Sequence, residues 1–568
     1  MRYQGNVSAR GIVAGKAFCY QPYVPSFAAD TVVEDSAVEL SKYKSAYEKA
    51  KEELNMIATS LSANHPEQAA IFEAHMEILE DEVMDEEIGE ALESGEFTAS
   101  RAVDFVYAQY ADALRESGNA LIAERADDMN DVRLRLLRCI EGKEDKGLSS
   151  LKEPIVLVAR DLLPSDTALL DPELVLAIVT EEGGATSHTA IIARSYGIAA
   201  ISGIENVIEL IADDTELIVD ALNGVLTVNP TDDEMTQYQA MRADFLQLLE
   251  DEHNYLGMEA TTSENVRIQV LVNIGAADAR ELECVPNVDG VGLFRTEFLY
   301  MGRDEVPNEE EQFHHYKRVL EAFSPRTVTL RTLDIGGDKE VACLNLPKEE
   351  NPFLGNRALR FCLSHEDIFL TQLRAALRAS VYGNLKIMFP MVESLEDIDR
   401  AKAVLRKAQE QLTEQGISWN PDVKIGVMIE IPALAAIADL VAQEVDFASI
   451  GTNDLTQYAL AVDRVNPDVS SYYQSMHPAM LRLLNFAINE FNKAGKDISV
   501  CGEMGGDPVA ATALLGMGIK NLSMGYSSVP MIKKLICNID MEKAREAVIC
   551  ACKSRTAEDV KNILKCVL

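Results

Sequence analysis

The chain has 568 residues, too many for a single core, and 47% of them are apolar, enough to bury several cores and to exclude wholesale disorder. A formal net charge of −40 argues against a nucleic-acid partner, because such binding rests on Lys and Arg meeting phosphates. No apolar run reaches the length of about 18 residues that a membrane-spanning helix needs.

The opening residues MRYQGNVSARGIVAG carry no apolar signal-type stretch, so a cytosolic location is expected. The ten cysteines are scattered without a C-x-x-C pair, the pattern of reduced thiols rather than of disulfides or structural zinc.

In chain order, residues 1 to 30 read as strand, punctuated by Gly11 and Gly15. From Ser36 to Arg138 the pattern is helical. Ser36-Ala-Val-Glu39 fits a capping box, and Leu40, Tyr43, Tyr47, Leu54, Ile57 and Leu61 recur at helical spacing. Pro66 and Gly95 punctuate further helices, which together predict a bundle. Between His65 and Ser100 the acids, among them Glu67, Glu80, Asp81 and Glu82, occur with no Lys or Arg. Such a tract is either a solvated helix face or a docking surface for a basic partner.

Residues 154 to 230 alternate strand and helix, with apolar runs at Pro154–Ala159 and Leu174–Val179. They resemble the opening stretch in type, so the bundle is expected to be inserted into one α/β domain. A connecting helix is expected from Thr231 to about Tyr255. Beyond residue 265, eight strand-like runs alternate with helical ones: Arg267–Asn273, Gly290–Phe294, Val328–Asp334, Leu385–Pro390, Lys424–Glu430, Phe447–Gly451, Ile498–Cys501 and Asn521–Met524. Eight such units predict a (β/α)8 barrel, with an open doubly wound sheet as the alternative.

Two places carry chemistry. Gly183-Gly184-Ala185-Thr186-Ser187-His188 follows a strand and opens a helix, which puts His188 in a first turn whose unpaired N–H groups favour an anion. A neutral imidazole there is a competent nucleophile, although a lone histidine at a helix start is often structural.

The second place is the set of strand ends expected at the mouth of the barrel. They carry Arg295, Arg331, Asp334, Glu430, Asn453, Asp454, Arg464 and Cys501. Arginines from different strands can fork onto phosphate or carboxylate oxygens, and Glu430 with Asp454 offers hard oxygens for a Mg2+ ion held by few protein ligands. One such arginine alone would be an ordinary surface ion pair. Cys501 reads either as an inert core thiol or as a proton donor.

The segments GGATSHTAIIARS, DGVGLFRTEFLYM, RTLDIGGDKE, IGTNDLTQYALAVDR and CGEMGGD together resemble enzyme I of the bacterial phosphoenolpyruvate:sugar phosphotransferase system over essentially the whole chain. The resemblance implies a multidomain α/β protein. A swivelling phosphohistidine domain would occupy 1–30 and 145–230, with an inserted helical bundle that docks the carrier HPr at 34–143. A linker helix would follow at 231–258, and a (β/α)8 barrel at 262–568 would bind phosphoenolpyruvate and form a homodimer.

The resemblance also implies roles for single residues. His188 would be phosphorylated, and Arg295, Arg331, Arg464, Asn453 and Asp454 would bind phosphoenolpyruvate, with Arg357 of NPFLGNRALR adding to the phosphate cradle. Glu430 and Asp454 would hold Mg2+, and Cys501 would protonate the enolate. Ala185 departs from the family pattern, in which Arg stands at that place. The competing readings are an enzyme of the pyruvate phosphate dikinase or phosphoenolpyruvate synthase type and a non-catalytic relative. The first lacks a Gly-rich nucleotide loop here, and the second would be marked by loss of His188, Arg295, Glu430 or Cys501, all of which are present.

Overall fold

The structure, a computed structural model, describes the chain apart from residues 21, 22, 24, 26–32, 34, 63–65, 117–119, 144–147, 149, 150, 163–165, 167–169, 184–187, 276, 278, 302, 304, 337–340, 345, 348 and 465. It divides into two units, Met1–Leu246 and Gln247–Leu568.

The first unit begins with β1 (Arg2–Gln4), β2 (Asn6–Ala9) and β3 (Ile12–Tyr20). The chain then forms α1 (Ser36–Ser62), α2 (Pro66–Leu79), α3 (Glu82–Glu93), α4 (Ala99–Glu116) and α5 (Ala120–Ile140) before returning as β4 (Ile155–Ala159). Strands β3 and β4 pair in parallel, from Lys16 opposite Ile155 to Tyr20 opposite Ala159, so the helices are an insertion between neighbouring strands. With β5 (Val175–Thr180), β6 (Ala199–Ser202), β7 (Glu216–Asp220) and β8 (Val225–Val228) they make an eight-stranded mixed sheet in the order β1-β8-β7-β3-β4-β5-β6-β2. Its central strands are continuous apolar runs because both faces are covered: Val156 and Val158 enter one core, Leu157 and Ala159 the other.

The bundle has a core of its own, in which Leu54, Phe72, Leu92 and Leu136 are fully buried. The capping box expected at Ser36–Glu39 does not form. Asp35 starts α1 instead, accepting the Ala37 N–H at 2.9 Å. The Glu39 carboxylate turns to α4, where it takes the Ala99 N–H at 2.8 Å while holding Lys42 at 2.7 Å. Both choices satisfy N–H groups that a helix start leaves unpaired, and only the tertiary fold brings α4 within reach of Glu39. The expected connecting helix runs over Asp232–Asn254, and the division between the units falls within it.

In the second unit β9 (Gln269–Ile274), β10 (Gly290–Arg295), β11 (Thr327–Arg331), β12 (Asn384–Phe389), β13 (Lys424–Ile429), β14 (Phe447–Ile450), β15 (Asp497–Val500) and β16 (Asn521–Met524) close a parallel barrel, with β16 pairing back to β9. Closure excludes the open doubly wound sheet. The strand expected over Val328–Asp334 stops at Arg331, because the Leu333 N–H is taken by the Gln372 side chain at 2.8 Å rather than by a neighbouring strand.

Helix Glu309–Phe323 lays the His315 ring against Phe294, with centroids 5.5 Å apart, behind the strand that ends in Arg295. Burial pushes the imidazole down from 6.5 to about 4. Because the folded value lies below the unfolded one, stability is complete above pH 6.5 and is lost as the pH falls towards 4. His315→Gln should flatten this acid limb when melting temperature is followed across that window. An unchanged slope would exclude His315 as its source.

Candidate active site

The C-terminal ends of the barrel strands carry a connected set of charged groups. Arg331 closes β11 and is buried, with Nη2 at 2.5 Å from Glu297 Oε1 and Nη1 at 2.7 Å from Asp334 Oδ2. The other oxygen of Asp334 holds Arg357 Nη2 at 3.0 Å. Arg357, also buried, reaches on to Asp454 at 3.5 Å and donates to the Tyr458 hydroxyl at 3.1 Å. Asp454 in turn lies 3.8 Å from Arg464. Burial alone would lower the affinity of the Arg331 guanidinium for its proton, but Asp334 and Glu297 outweigh it and fix the charge.

Backbone geometry makes this packing possible. Gly336 has φ +104°, and a Cβ there would stand 2.6 Å from the Arg357 Cβ. A Cβ on Gly451 would meet Glu430 Oε2 at 2.6 Å, so any side chain there would have to displace the carboxylate from where it sits.

Glu430 follows β13. Its Oε1 accepts the Met391 N–H at 2.6 Å, whereas Oε2 is buried without a hydrogen-bond partner. Burial, reinforced by Asp454 and Asp334, lifts its carboxyl well above the usual carboxylate range. Among the described residues no three His, Cys, Asp or Glu side chains are arranged to hold a metal by themselves. Glu430 and Asp454 nevertheless fit a hard divalent cation that takes its remaining oxygens from substrate and water: one Glu430 carboxylate oxygen is unsatisfied, and burial beside Asp454 raises the cost of ionising Glu430. The Nε atoms of Arg331 and Arg357 are also buried without partners, which leaves donors for an anion.

Asn453 and Asp454 sit in the first turn of helix Thr452–Leu460. The Asn453 carbonyl accepts from the Tyr473 hydroxyl at 3.2 Å, and its Oδ1 accepts the Glu503 N–H at 3.3 Å. Arg295 ends β10 with an exposed side chain. Cys501, just past β15, is buried in the barrel interior with Leu293, Met388, Met428 and Phe447. Its thiol donates to the Ile450 carbonyl at 3.6 Å. Burial pushes the thiol up to about 11, with Glu430 adding to the shift and Arg331 and Arg295 opposing it. The sulfur therefore keeps its proton at neutral pH, as a proton donor must.

In the first unit His188 is the first residue of helix His188–Tyr196. Its side chain, and residues Ala185, Thr186 and Ser187 before it, lie outside the described residues. Asp334, expected at a strand end without a role, and Glu297, which the strand-end set did not include, are the partners of the arginines. Tyr473 and Gln372 carry no sequence signal, since single polar residues on loops and helices belong to no motif.

Part of the acidic tract is committed to the fold. Glu80 pairs with Lys51 at 2.6 Å, Asp81 caps α3 through the Val83 and Met84 N–H groups, and Asp85 accepts from the Tyr43 hydroxyl at 2.8 Å. The side chains of Glu67 and Glu82 lie outside the described residues.

A closed barrel with this charged mouth, joined in one chain to a sheet with an inserted bundle, defines a class, and sequence comparison gives it a description. Residues 4–125, 151–224 and 250–541 match the N-terminal, mobile and PEP-binding domains of PEP-utilising enzymes. The phosphoenolpyruvate-protein phosphotransferase of Staphylococcus aureus is 41% identical over 567 residues, covering 99% of both chains. That of Priestia megaterium is 42% identical over 527 residues, covering 93% of this chain and 92% of its own. A solution structure of the Enzyme I (nEIt) protein is 33% identical and covers 43% of this chain and 99% of that one, with a TM-score of 0.40. The chain belongs to the phosphoenolpyruvate-protein phosphotransferase family.

The ten cysteines are free, with Cys550 and Cys566 exposed. A thiol reagent at pH 8 should therefore label Cys550 and Cys566 quickly and leave Cys501 unmodified in the native protein, because both access and thiolate fraction are lacking there. Peptide mapping after a short iodoacetamide pulse reads this directly. Rapid labelling of Cys501 would contradict its burial and its raised value.

Proposed function

We propose that the protein takes the phosphoryl group of phosphoenolpyruvate onto His188 and passes it to the histidine of an HPr-type carrier, releasing pyruvate. The observation that supports this most strongly is the cluster at the barrel mouth. Buried arginines there keep unpartnered donors beside a carboxylate with an unpartnered oxygen, a set suited to an anion and a cation together. The dikinase-type and non-catalytic alternatives are not favoured: the S. aureus relative matches over 99% of both chains, and the residues that a non-catalytic relative would lack are present.

In this reading Arg295, Arg331, Arg357 and Arg464, with Asn453, hold phosphoenolpyruvate and spread the charge of the transferring group, which is most of what phosphoryl transfer asks of a protein. Glu430 and Asp454 would hold Mg2+, which supplies further charge neutralisation when bound. The P–O bond to enolpyruvate breaks as a P–N bond to His188 forms. The enolate then takes the Cys501 thiol proton at C3, and solvent restores that proton.

Because His188 must meet both donor and acceptor, the domain that carries it swings, with helix Asp232–Asn254 as the hinge. The barrel is proposed to form the homodimer. Among the described residues no helix is long and apolar enough to cross a membrane.

Incubation with 32P-labelled phosphoenolpyruvate and Mg2+ should place an acid-labile label on His188, and His188→Ala should abolish it. Full labelling of that variant would overturn the proposal. Arg295→Ala and Glu430→Ala should each slow labelling about 10²-fold or more, since both act on charge at the transferring group. Exchange between His188 and phospho-HPr should survive in both variants, and its loss in folded protein would refute this division of labour.

HPr docking is assigned to the bundle. The exposed acids Glu73, Glu77 and Glu86 are better probes than Asp81, whose reversal would remove a helix cap. Reversing these three should slow transfer to HPr in a salt-dependent way without slowing labelling by phosphoenolpyruvate. Unchanged transfer rates at low salt would remove the tract from the interface.

A further inference from the structure

Behind the arginines of β10 and β11 runs a chain of buried polar side chains. Gln372, on helix Glu366–Ala379, is 1% exposed, and Thr296, Gln312 and Tyr316 are each 0% exposed. The Gln372 Oε1 accepts the Leu333 N–H at 2.8 Å, and its Nε2 donates to Thr296 Oγ1 at 3.0 Å and to the Tyr316 hydroxyl at 3.2 Å. The Thr296 hydroxyl donates to the Arg331 carbonyl at 2.8 Å. Tyr316 donates to Gln312 Oε1 at 3.0 Å, and Gln312 Nε2 donates to the Pro307 carbonyl at 2.9 Å.

The attachment points bear on the site. Thr296 lies between Arg295 and Glu297, and Leu333 lies between Arg331 and Asp334. One planar amide therefore ties together the two turns that project four charged groups. Its acceptor and both donors are used at once, so no other rotamer keeps all three bonds. An apolar side chain of similar volume would fill the same space, but the Leu333 N–H would then be buried without its acceptor, and Thr296 would keep only its bond to the Arg331 carbonyl.

We propose that Gln372 is a positioning residue for the substrate arginines: by fixing the ends of β10 and β11 relative to each other, it sets the separation of Arg295 and Arg331. This rests on the reading that these arginines bind phosphoenolpyruvate. Small displacements of groups that orient a reacting phosphoryl are costly, up to about 10²-fold for a shift of about 1 Å.

The test uses the full-length protein with Gln372→Met, Gln372→Glu, Thr296→Val and, as a control on the parent reading, Arg331→Ala. Gln372→Met and Thr296→Val should each lower kcat/KM for phosphoenolpyruvate about 10-fold per folded molecule and raise KM. Exchange of phosphate between His188 and phospho-HPr should stay native in both.

Gln372→Glu adds a readout that a merely structural role would not move. Its neutral carboxyl offers one donor and one acceptor, whereas the ionised form offers no donor. Its kcat/KM relative to the native protein should recover as the pH is lowered, and that of Gln372→Met should not. Native kcat/KM in both Gln372→Met and Thr296→Val, whatever their melting temperatures, would overturn the proposal and leave the network as barrel-wall stabilisation. If Gln372→Met does not fold, Gln372→Glu decides, because Thr296→Val also removes the bond to the Arg331 carbonyl: a kcat/KM that does not recover at low pH would overturn the proposal. Native activity in Arg331→Ala would instead overturn the parent reading, a result separable from native activity in the Gln372 and Thr296 variants.

Discussion

The carboxylate of Asp334 is shared by two buried guanidinium groups, Arg331 at 2.7 Å and Arg357 at 3.0 Å. Much else at the barrel mouth depends on that sharing. Arg331 continues to Glu297, and Arg357 continues to Asp454 and through it to Arg464, so one alternating chain of charge spans the ends of β10, β11 and β14. Charges buried this way are stable only as a set. Removing one partner leaves another unpaired in a dry interior, at a cost of about 3–5 kcal/mol. The arrangement is thus rigid before any ligand arrives, and a rigid array of donors serves electrostatic catalysis because it need not reorganise during the reaction.

The balance of that set bears on what it can bind. Glu297, Asp334, Glu430 and Asp454 are buried, and the buried arginines among them are Arg331 and Arg357. The acids outnumber the bases, and the strain appears at Glu430, whose carboxyl is lifted by burial and by its acidic neighbours. A substrate carrying both carboxylate and phosphate would deepen the excess of negative charge. In the proposed function that excess would be offset by further positive charge, from the exposed Arg295, the half-buried Arg464 and a divalent cation at the free oxygen of Glu430.

The sequence makes some levels of this structure easier to read than others. The eight barrel strands stand out because each is an apolar run flanked by helical periodicity, and the charged residues at their ends fall where the fold puts function. What could not be read depends on contacts between distant elements. Glu39 looks like part of a local capping box, yet it caps α4, sixty residues on. Gln372 looks like an ordinary polar residue on an amphipathic helix, and only the closed barrel places its amide against Thr296 and Leu333. Asp81 and Asp85 look like two more charges on an acidic face, although one caps a helix and the other anchors Tyr43.

The placement of Cys501 follows from the same low-dielectric interior. Burial raises both nearby acids, the thiol to about 11 and the Glu430 carboxyl above its ordinary range. The two shifts have opposite uses. Glu430 is destabilised as an anion chiefly by burial, with Asp454 and Asp334 adding to it, so bringing further positive charge beside it favours the ionised form. For the thiol, burial outweighs the opposing pull of Arg331 and Arg295. It lies among Leu293, Met388, Met428 and Phe447, its hydrogen turned to the Ile450 carbonyl, and it remains the protonated group whether or not Glu430 ionises. Environments that drive two titratable groups apart assign their roles. In the proposed function the carboxylate would hold positive charge and the thiol the proton that an enolate would take.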